Sequence, residues 1–257
     1  MVKNQTFAVV DLETTGTKMD GTNRIIQFSC VLVQNRKIVN TFNTLINPLM
    51  AIPADVQNLT GIHEKDVRHA PLFDDVAGTI YALLQDTVFV AHNIQFDYRF
   101  LNAELERVGY PELDLKGVDT VQLSQILYPC LASYRLQDLS AALKISHERP
   151  HQADSDAVVT AELLIKLMDQ IHQLPDSLLR QLESMGDALL FETGMLFSNE
   201  LRNRNAPKKY DVDLIQVGKI TFRRPRKFSD HLQGRSKQPL LEAWPSSYEK
   251  RPQQLNL

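Results

Sequence analysis

The sequence predicts an α/β fold in which a β-sheet of mixed direction is flanked by helices. Three β-prone stretches come first, beginning at residue 7 and continuing at 25–33 and 37–46, as in an antiparallel meander. Short apolar strands then alternate with helical periods, which is typical of parallel strands covered on both faces. In such sheets ligands bind at the carboxyl ends of the central strands, so the residues at those ends are the first candidates for a site.

The elements follow in a regular order after the meander, whose second and third strands are joined by a turn at residues 34–36. A wholly apolar stretch predicts a short buried strand at residues 87–91, and residues 117–120 predict a brief extended piece. Apolar residues spaced three and four apart predict helices at 54–59, 67–84, 94–108, 121–127, 136–143 and 154–171.

Two carboxylates end the first strand. Asp11 and Glu13 are spaced i, i+2, so in a strand they project to the same side. Like charges held that close raise each other's pKa unless a cation lies between them. Carboxylate oxygens are hard ligands that favour Mg²⁺ or Mn²⁺, so the pair predicts a metal site. The alternative is that Asp11 caps a turn and Glu13 is solvated beside it.

Two further acidic motifs stand at helix starts. Asp97 follows the short apolar strand and lies in the first turn of the next helix. Asp156 lies in the first turn of the last core helix, with Asp154 as its expected N-cap and His151 just before it. An imidazole there suits proton transfer at neutral pH. Each acid could instead serve only to stabilise its helix through the helix dipole.

Taken together, the three motifs resemble those of the DEDDh 3′→5′ exonucleases, which include the proofreading subunit of bacterial replicative polymerases and other DnaQ-type proteins. The resemblance covers about residues 7–171. Its motifs are Asp-Leu-Glu-Thr-Thr-Gly at 11–16, His-Asn-x-x-Phe-Asp at 92–97 and His-x-Ala-x-x-Asp at 151–156. It implies a ribonuclease H-like fold and hydrolysis of phosphodiesters with two divalent metal ions, Mg²⁺ or Mn²⁺.

The resemblance also implies a role for each motif residue. Asp11, Glu13, Asp97 and Asp156 would bind the metals, with Asp11 touching both, and His151 would be the general base. Two cations about 4 Å apart clamp the phosphate in such sites, one activating water and one stabilising the departing 3′ oxygen. The products would be 5′-mononucleotides released from a free 3′ end.

Five neighbouring residues are candidate contacts to the terminal nucleotide. Thr14 and Thr15 could offer hydroxyl or backbone groups, Leu12 could press on the base, and Asn93 could orient the second motif. His63 belongs to a Thr-Gly-Ile-His segment at 60–63 that resembles one approaching the nucleotide in this family. That segment could equally be a simple helix C-cap at its glycine.

The chain is predicted to divide into an exonuclease domain at 1–173 and a C-terminal extension at 174–257. The extension begins with a helical stretch at 177–201, which either folds back on the core or awaits another domain, and then turns basic. Its basic clusters could follow a phosphate backbone, or the region could be a linker or a truncated second domain. The arrangement loosely resembles the front of DinG-type helicases, although no phosphate-loop motif and no cysteine set for an iron–sulfur cluster occur in these 257 residues.

Charge and composition fit a nucleic-acid enzyme of the cytoplasm. From residue 203 onward twelve Lys and Arg face five Asp and Glu, whereas the first 202 residues carry sixteen against twenty-six. No apolar run reaches the ~20 residues that a membrane span needs, and the two cysteines show no ligand-like spacing. We expect hydrolysis of DNA, preferably single-stranded, with a polymerase or a helicase domain as partner. The alternatives are an RNA or oligoribonucleotide exonuclease and a non-catalytic nucleic-acid or polymerase-binding module.

Overall fold

The computed structural model describes residues 5–204, 214–217 and 220–223. The chain divides into two compact units, Met1–Tyr210 and Asp211–Leu257. A five-stranded sheet of order β3-β2-β1-β4-β5 forms the centre of the first unit. Its strands are β1 (Thr6–Thr14), β2 (Ile25–Gln34), β3 (Lys37–Leu45), β4 (Val88–Ala91) and β5 (Gly117–Asp119).

The first three strands form the antiparallel meander that the sequence predicts, and β4 and β5 add in parallel to β1. Asn35 and Arg36 make the turn between β2 and β3, and both have positive φ, at 49° and 60°. A two-residue turn with both φ values positive matches the twist of the strands it joins, which explains why a hairpin forms here without glycine.

Helices cover both faces of this sheet, as predicted. The helices of the first unit are α1 (Ala54–Thr60), α2 (Glu64–Val67), α3 (Phe73–Leu84), α4 (Ile94–Arg107), α5 (Thr120–Leu127), α6 (Leu136–Leu143), α7 (Ala153–Gln173), α8 (Asp176–Ser184) and α9 (Met195–Asn203). A 3₁₀ turn, Gly186–Ala188, follows α8.

Alternation along β1 assigns each side chain to one face of the sheet. Val10 and Leu12 pack in the cluster that contains residues of α3 and α4, whereas Phe7 and Val9 pack with residues of α7. Because side chains two apart share a face, Asp11 and Glu13 continue the row of Phe7 and Val9. The two carboxylates therefore lie on the side of the sheet that α7 covers.

The predicted helix at 67–84 is wrong in its first turn and a half. The chain has a short helix, α2, that ends at Val67, and a separate helix, α3, that begins at Phe73. Pro71 lies between them, and Leu72 forms a parallel bridge with Asn47. Proline disfavours helical backbone in the residue before it, so a single helix cannot run through Pro71. The apolar spacing nevertheless continues across the break, which is why the sequence predicted one helix.

The expected N-cap of the last core helix is also wrong. The helix α7 begins at Ala153, so Gln152 occupies the cap position and Asp154 lies in the first turn. Asp154 instead pairs with Arg149, whose Nη2 lies 2.8 Å from its Oδ2. Asp156 lies in the first turn, as predicted.

The segment after α7 folds back on the core, which was one of the two predicted alternatives. Leu179, Leu196 and Phe197 are buried in the same apolar cluster as Val9. The N–H of Gly117 in β5 donates to the Glu192 carboxylate at 2.8 Å, so this segment also covers the end of the sheet.

The single helix predicted at 177–201 is wrong. The chain instead forms α8, the 3₁₀ turn and α9. The backbones of Gly186 and Gly194 approach closely, and a Cβ at Gly194 would lie 2.5 Å from the Cα of Gly186.

The second unit contributes one described element, an antiparallel hairpin of β6 (Leu214–Val217) and β7 (Ile220–Arg223). The predicted basic cluster at 208–209 lies outside the described residues, and of the predicted cluster at 223–227 only Arg223, the last residue of β7, is described. Within the described part of the chain, no helix is both long and apolar enough to cross a membrane.

Candidate active site

Four acidic side chains meet where β1, α4 and α7 come together. Asp11 and Glu13 come from the end of β1, Asp97 from the first turn of α4, and Asp156 from the first turn of α7. Oxygen atoms of Asp11, Glu13 and Asp156 lie within 4.8 Å of one another. The structure therefore brings together residues that the sequence separates by more than 140 positions.

Asp97, the fourth carboxylate, is hydrogen-bonded to the backbone of β1. The N–H of Leu12, between the two strand carboxylates, donates to Asp97 Oδ1 at 3.2 Å. This bond fixes the start of α4 against the end of β1. The side chain of Asp97 is buried and raises the pKa of both Asp11 and Glu13 by its charge.

The electrostatics of the cluster oppose full ionisation. Burial, followed by the charges of Asp156 and Asp97, raises the pKa of Glu13 to about 8. Burial and the same neighbouring charges raise the pKa of Asp11 well above its ordinary value. Burial also raises the pKa of Asp97, against hydrogen bonds that lower it.

In the part of the chain that the structure describes, basic side chains do not neutralise the charge of Asp11, Glu13 or Asp97. Within residues 5–204, no lysine or arginine forms an ion pair with Asp11, Glu13 or Asp97. A group of converging, unneutralised carboxylate oxygens is the donor set that hard divalent cations prefer. The acidic cluster therefore fits divalent metal binding.

Asp156 is held by two residues of the segment that precedes α7. The backbone N–H of His151 donates to Oδ2 at 3.0 Å, and Nε2 of His147 lies 2.6 Å from Oδ1. The side chain of His151 is exposed, whereas that of His147 is only 5% exposed. His151 is thus joined to the cluster through its backbone and is exposed, and its role as general base stays a prediction.

Three positioning contacts in the site were missed by the sequence interpretation. His147 is one of them. Gln27, buried opposite Glu13 on β2, accepts a hydrogen bond from the N–H of Ala153 at 3.1 Å and so fixes the start of α7. Asp119, buried at the end of β5, accepts from the N–H of Ile94 at 2.8 Å and fixes the start of α4.

The predicted nucleotide-contacting residues near β1 are engaged within the protein. The side chain of Leu12 is buried in the core on the face opposite Asp11. The hydroxyl of Thr14 donates to the carbonyl of Gly16 at 2.8 Å. The hydroxyl of Thr15 accepts from the N–H of Arg24 at 2.9 Å. Their contacts to a nucleotide stay a prediction.

The other two predicted contacts lie in exposed positions. Asn93 precedes α4 with φ 76°, a left-handed conformation that asparagine tolerates better than most residues. His63 follows the C-cap of α1, where Gly61 has φ 72°, so the predicted cap is confirmed. A Cβ at Gly61 would lie 3.8 Å from the Gln152 side chain, which places this segment next to the start of α7.

The raised pKa values predict how stability depends on pH without metal. Glu13 keeps its proton in the folded state up to about pH 8, whereas its ordinary pKa is 4.5. The free energy of unfolding should therefore fall as pH rises through this window. We expect the melting temperature in EDTA to decrease between about pH 5 and about pH 8.

Glu13→Gln should flatten that dependence, and Mn²⁺ at the upper pH should recover the lost stability in the native protein. For a chain of this size, each kcal/mol recovered raises the melting temperature by about 2–4 °C. Thermal denaturation at several pH values measures both effects. If the melting temperatures of the native protein and of Glu13→Gln depend on pH in the same way, the raised pKa of Glu13 is not the cause of the dependence.

Known proteins resemble this chain in sequence and in fold. A family model described as exonuclease matches residues 8–164. The 3′-5′ exonuclease DinG of Bacillus subtilis (strain 168) is 37% identical over 209 residues, which are 80% of this chain and 22% of that protein. The chain thus spans about a fifth of that relative's length.

Solved structures of exonucleases have a similar fold. Exonuclease X in complex with 5′-overhanging duplex DNA superposes with a TM-score of 0.51 at 28% identity, covering 63% of this chain and 91% of that one. The nuclease domain of 3′hExo, a DEDDh family member bound to rAMP, has a TM-score of 0.57 at 20% identity. It covers 65% of this chain and 94% of its own, and this likeness concerns the fold alone.

The fold and the four converging carboxylates define a nuclease of the ribonuclease H-like class, which confirms the predicted fold class. The match over more than half of the sequence then fixes the family. The chain belongs to the exonuclease family, whose model matches residues 8–164.

Proposed function

We propose that this chain hydrolyses DNA, with a preference for single strands, from a free 3′ end to 5′-mononucleotides, using two divalent cations. The observation that carries the proposal is the convergence of Asp11, Glu13 and Asp156 oxygens within 4.8 Å, with Asp97 joined to the same strand. Burial and neighbouring charges raise the pKa of Asp11, Glu13 and Asp97, and such a cluster is costly to maintain unless it holds cations.

The residues that would hold the cations are Asp11, Glu13, Asp97 and Asp156. When bound, Mg²⁺ or Mn²⁺ supplies positive charge to the scissile phosphate and to the oxygens that enter and leave it. The chain supplies the frame, because β1, α4 and α7 each fix one part of the ligand set through backbone hydrogen bonds.

His151 is the proposed general base. As a water oxygen attacks phosphorus and the bond from phosphorus to the 3′ oxygen breaks, its imidazole takes the proton that water loses. The backbone N–H of His151 donates to Asp156 Oδ2, so the residue that carries the proposed base is hydrogen-bonded to a proposed metal ligand. This hydrogen bond uses the backbone and not the imidazole.

The direction of attack and the nature of the polymer are supported by the relatives. The DinG relative is named a 3′-5′ exonuclease, and exonuclease X was solved with duplex DNA. We propose that the working partner is a helicase domain or a DNA polymerase, in keeping with the resemblance to DinG-type and proofreading enzymes.

A comparison of matched 5′-labelled DNA and RNA oligomers tests the proposal. We expect a ladder of DNA products that shortens one nucleotide at a time from the 3′ end, with RNA cut more slowly. Single-stranded DNA should be cut faster than the same strand in a blunt duplex. If RNA is cut faster than DNA, the proposed substrate is wrong and the chain is an RNA exonuclease. If oligomers bind but stay uncut in Mn²⁺, the chain is a nucleic-acid-binding module.

A further inference from the structure

His147 lies in the segment between α6 and α7, four residues before the proposed base. Its side chain is only 5% exposed, and Nε2 lies 2.6 Å from Oδ1 of Asp156. The other ring nitrogen, Nδ1, lies 3.3 Å from the hydroxyl of Ser140, itself a buried residue of α6. The imidazole is therefore fixed at both ends, with one end on a proposed metal ligand.

The contacts of Asp156 show what this imidazole does. A carboxylate only accepts hydrogen bonds, so Nε2 of His147 donates to Oδ1. The backbone N–H of His151 donates to Oδ2 at 3.0 Å. Each oxygen thus has one protein donor, which leaves its remaining acceptor positions for a cation. With one donor on each oxygen, the orientation of the Asp156 carboxylate is fixed by the protein.

Burial separates the tasks of the two histidines. His151 is exposed beside the cluster and can meet water and substrate, whereas the buried ring of His147 contacts, among the described residues, Ser140 of α6 and Asp156 of α7. Proton transfer with substrate requires access, and His147 has none. Orientation of a ligand requires a rigid donor, and its two-sided contacts supply one.

We infer that His147 is a positioning residue that fixes the Asp156 carboxylate for divalent metal binding. The inference rests on the proposed metal site and adds a residue outside the three family motifs. Partners that orient metal ligands typically contribute about 10- to 100-fold to metal affinity or activity. Since the contact exists before substrate arrives, its effect should appear in metal binding measured without DNA.

The experiment measures Mn²⁺ binding to the full chain by calorimetry, without DNA, for the native protein, His147→Leu and His147→Gln. We expect the leucine variant to bind Mn²⁺ about 10- to 100-fold more weakly. Glutamine keeps an N–H donor, so its affinity should lie closer to the native value. With DNA present, the leucine variant should need more Mn²⁺ for half-maximal cleavage while its KM for the oligomer stays unchanged at saturating metal.

His172→Leu provides the matched control, because it removes a second histidine–carboxylate contact at the other end of α7. His172 Nδ1 lies 2.7 Å from Glu200 Oε1, remote from the cluster. This variant should bind Mn²⁺ as the native protein does, whatever its melting temperature. Melting temperatures of all variants, measured in EDTA, separate loss of stability from loss of metal affinity.

Three results would overturn the inference. The first is that His147→Leu binds Mn²⁺ with native affinity. The second is that His172→Leu weakens Mn²⁺ binding as much as His147→Leu does. The third is that His147→Gln has the native melting temperature but binds Mn²⁺ as weakly as His147→Leu. If His147→Leu does not fold, the Mn²⁺ affinity and melting temperature of His147→Gln alone test the inference. A native chain that binds Mn²⁺ yet cuts no DNA would refute the proposed function and leave the role of His147 standing.

Discussion

Replacing Asp11 by asparagine is expected to abolish detectable hydrolysis while leaving the fold intact and raising the melting temperature in EDTA. Asp11 lies among three other carboxylates, and burial together with their charges raises its pKa. A neutral amide of the same shape relieves that repulsion but removes a charged ligand. The loss of turnover should exceed the roughly 10- to 100-fold that loss of an orienting partner costs.

Asp86→Asn is the matched control for this variant. Asp86 is exposed and lies before the start of β4, at the end of the sheet opposite the site, with φ 59° that asparagine also tolerates. It should keep native activity and melting temperature. An Asp11→Asn protein that unfolds at a much lower temperature in EDTA, or that still cuts DNA, would contradict the assignment of Asp11 to the site.

Replacing His151 by asparagine is expected to lower kcat by about 10²- to 10⁴-fold, the usual contribution of a general base. His151 has φ 63°, so asparagine is a better replacement than alanine because it tolerates left-handed backbone. The backbone N–H to Asp156 remains in the variant, and Mn²⁺ affinity should therefore be native.

This pattern is the opposite of the one expected for His147→Leu, which should lose metal affinity first. Calorimetry with Mn²⁺ and single-turnover cleavage at saturating Mn²⁺ distinguish the two histidines. Native single-turnover rates in His151→Asn would show that another group takes the proton. Weakened Mn²⁺ binding in that variant would show that the His151 side chain supports the metal site instead.

Much of the acidic site could be predicted from the sequence because its parts carry local signals. Asp11 and Glu13 share one side of a strand through their spacing, and Asp97 and Asp156 each lie in the first turn of a helix. Parallel strands bring their carboxyl ends to one edge of a sheet, which predicts that Asp11, Glu13 and Asp97 lie together, whereas Asp156 was added through the family resemblance.

The supporting contacts could not be predicted in this way. Gln27 lies 126 residues before the backbone group that it binds, and no periodicity links β2 to the start of α7. His147 lies in an irregular segment before Pro150, where side-chain direction follows from tertiary packing rather than from spacing. A second histidine four residues before His151 was the one available signal, and the sequence interpretation did not use it.

The wrong helix boundaries have similar causes. At Pro71 the apolar period continues although the backbone cannot, because hydrophobic spacing reports burial and not hydrogen bonding. At Gly194 the break reflects a close approach to Gly186, a contact between two turns that no single stretch of sequence encodes. Local patterns thus predicted which residues are buried better than they predicted where helices end.

The most direct test of the central claim is restoration of cleavage by metal. A 5′-labelled single-stranded DNA oligomer is incubated with protein stripped by EDTA and then with added Mn²⁺ or Mg²⁺, beside the Asp11→Asn variant. We predict no products in EDTA, a ladder shortening from the 3′ end once metal is added, and none from the variant. Cleavage that persists in EDTA, or a ladder that Asp11→Asn also produces, would contradict a metal-dependent exonuclease at this carboxylate cluster.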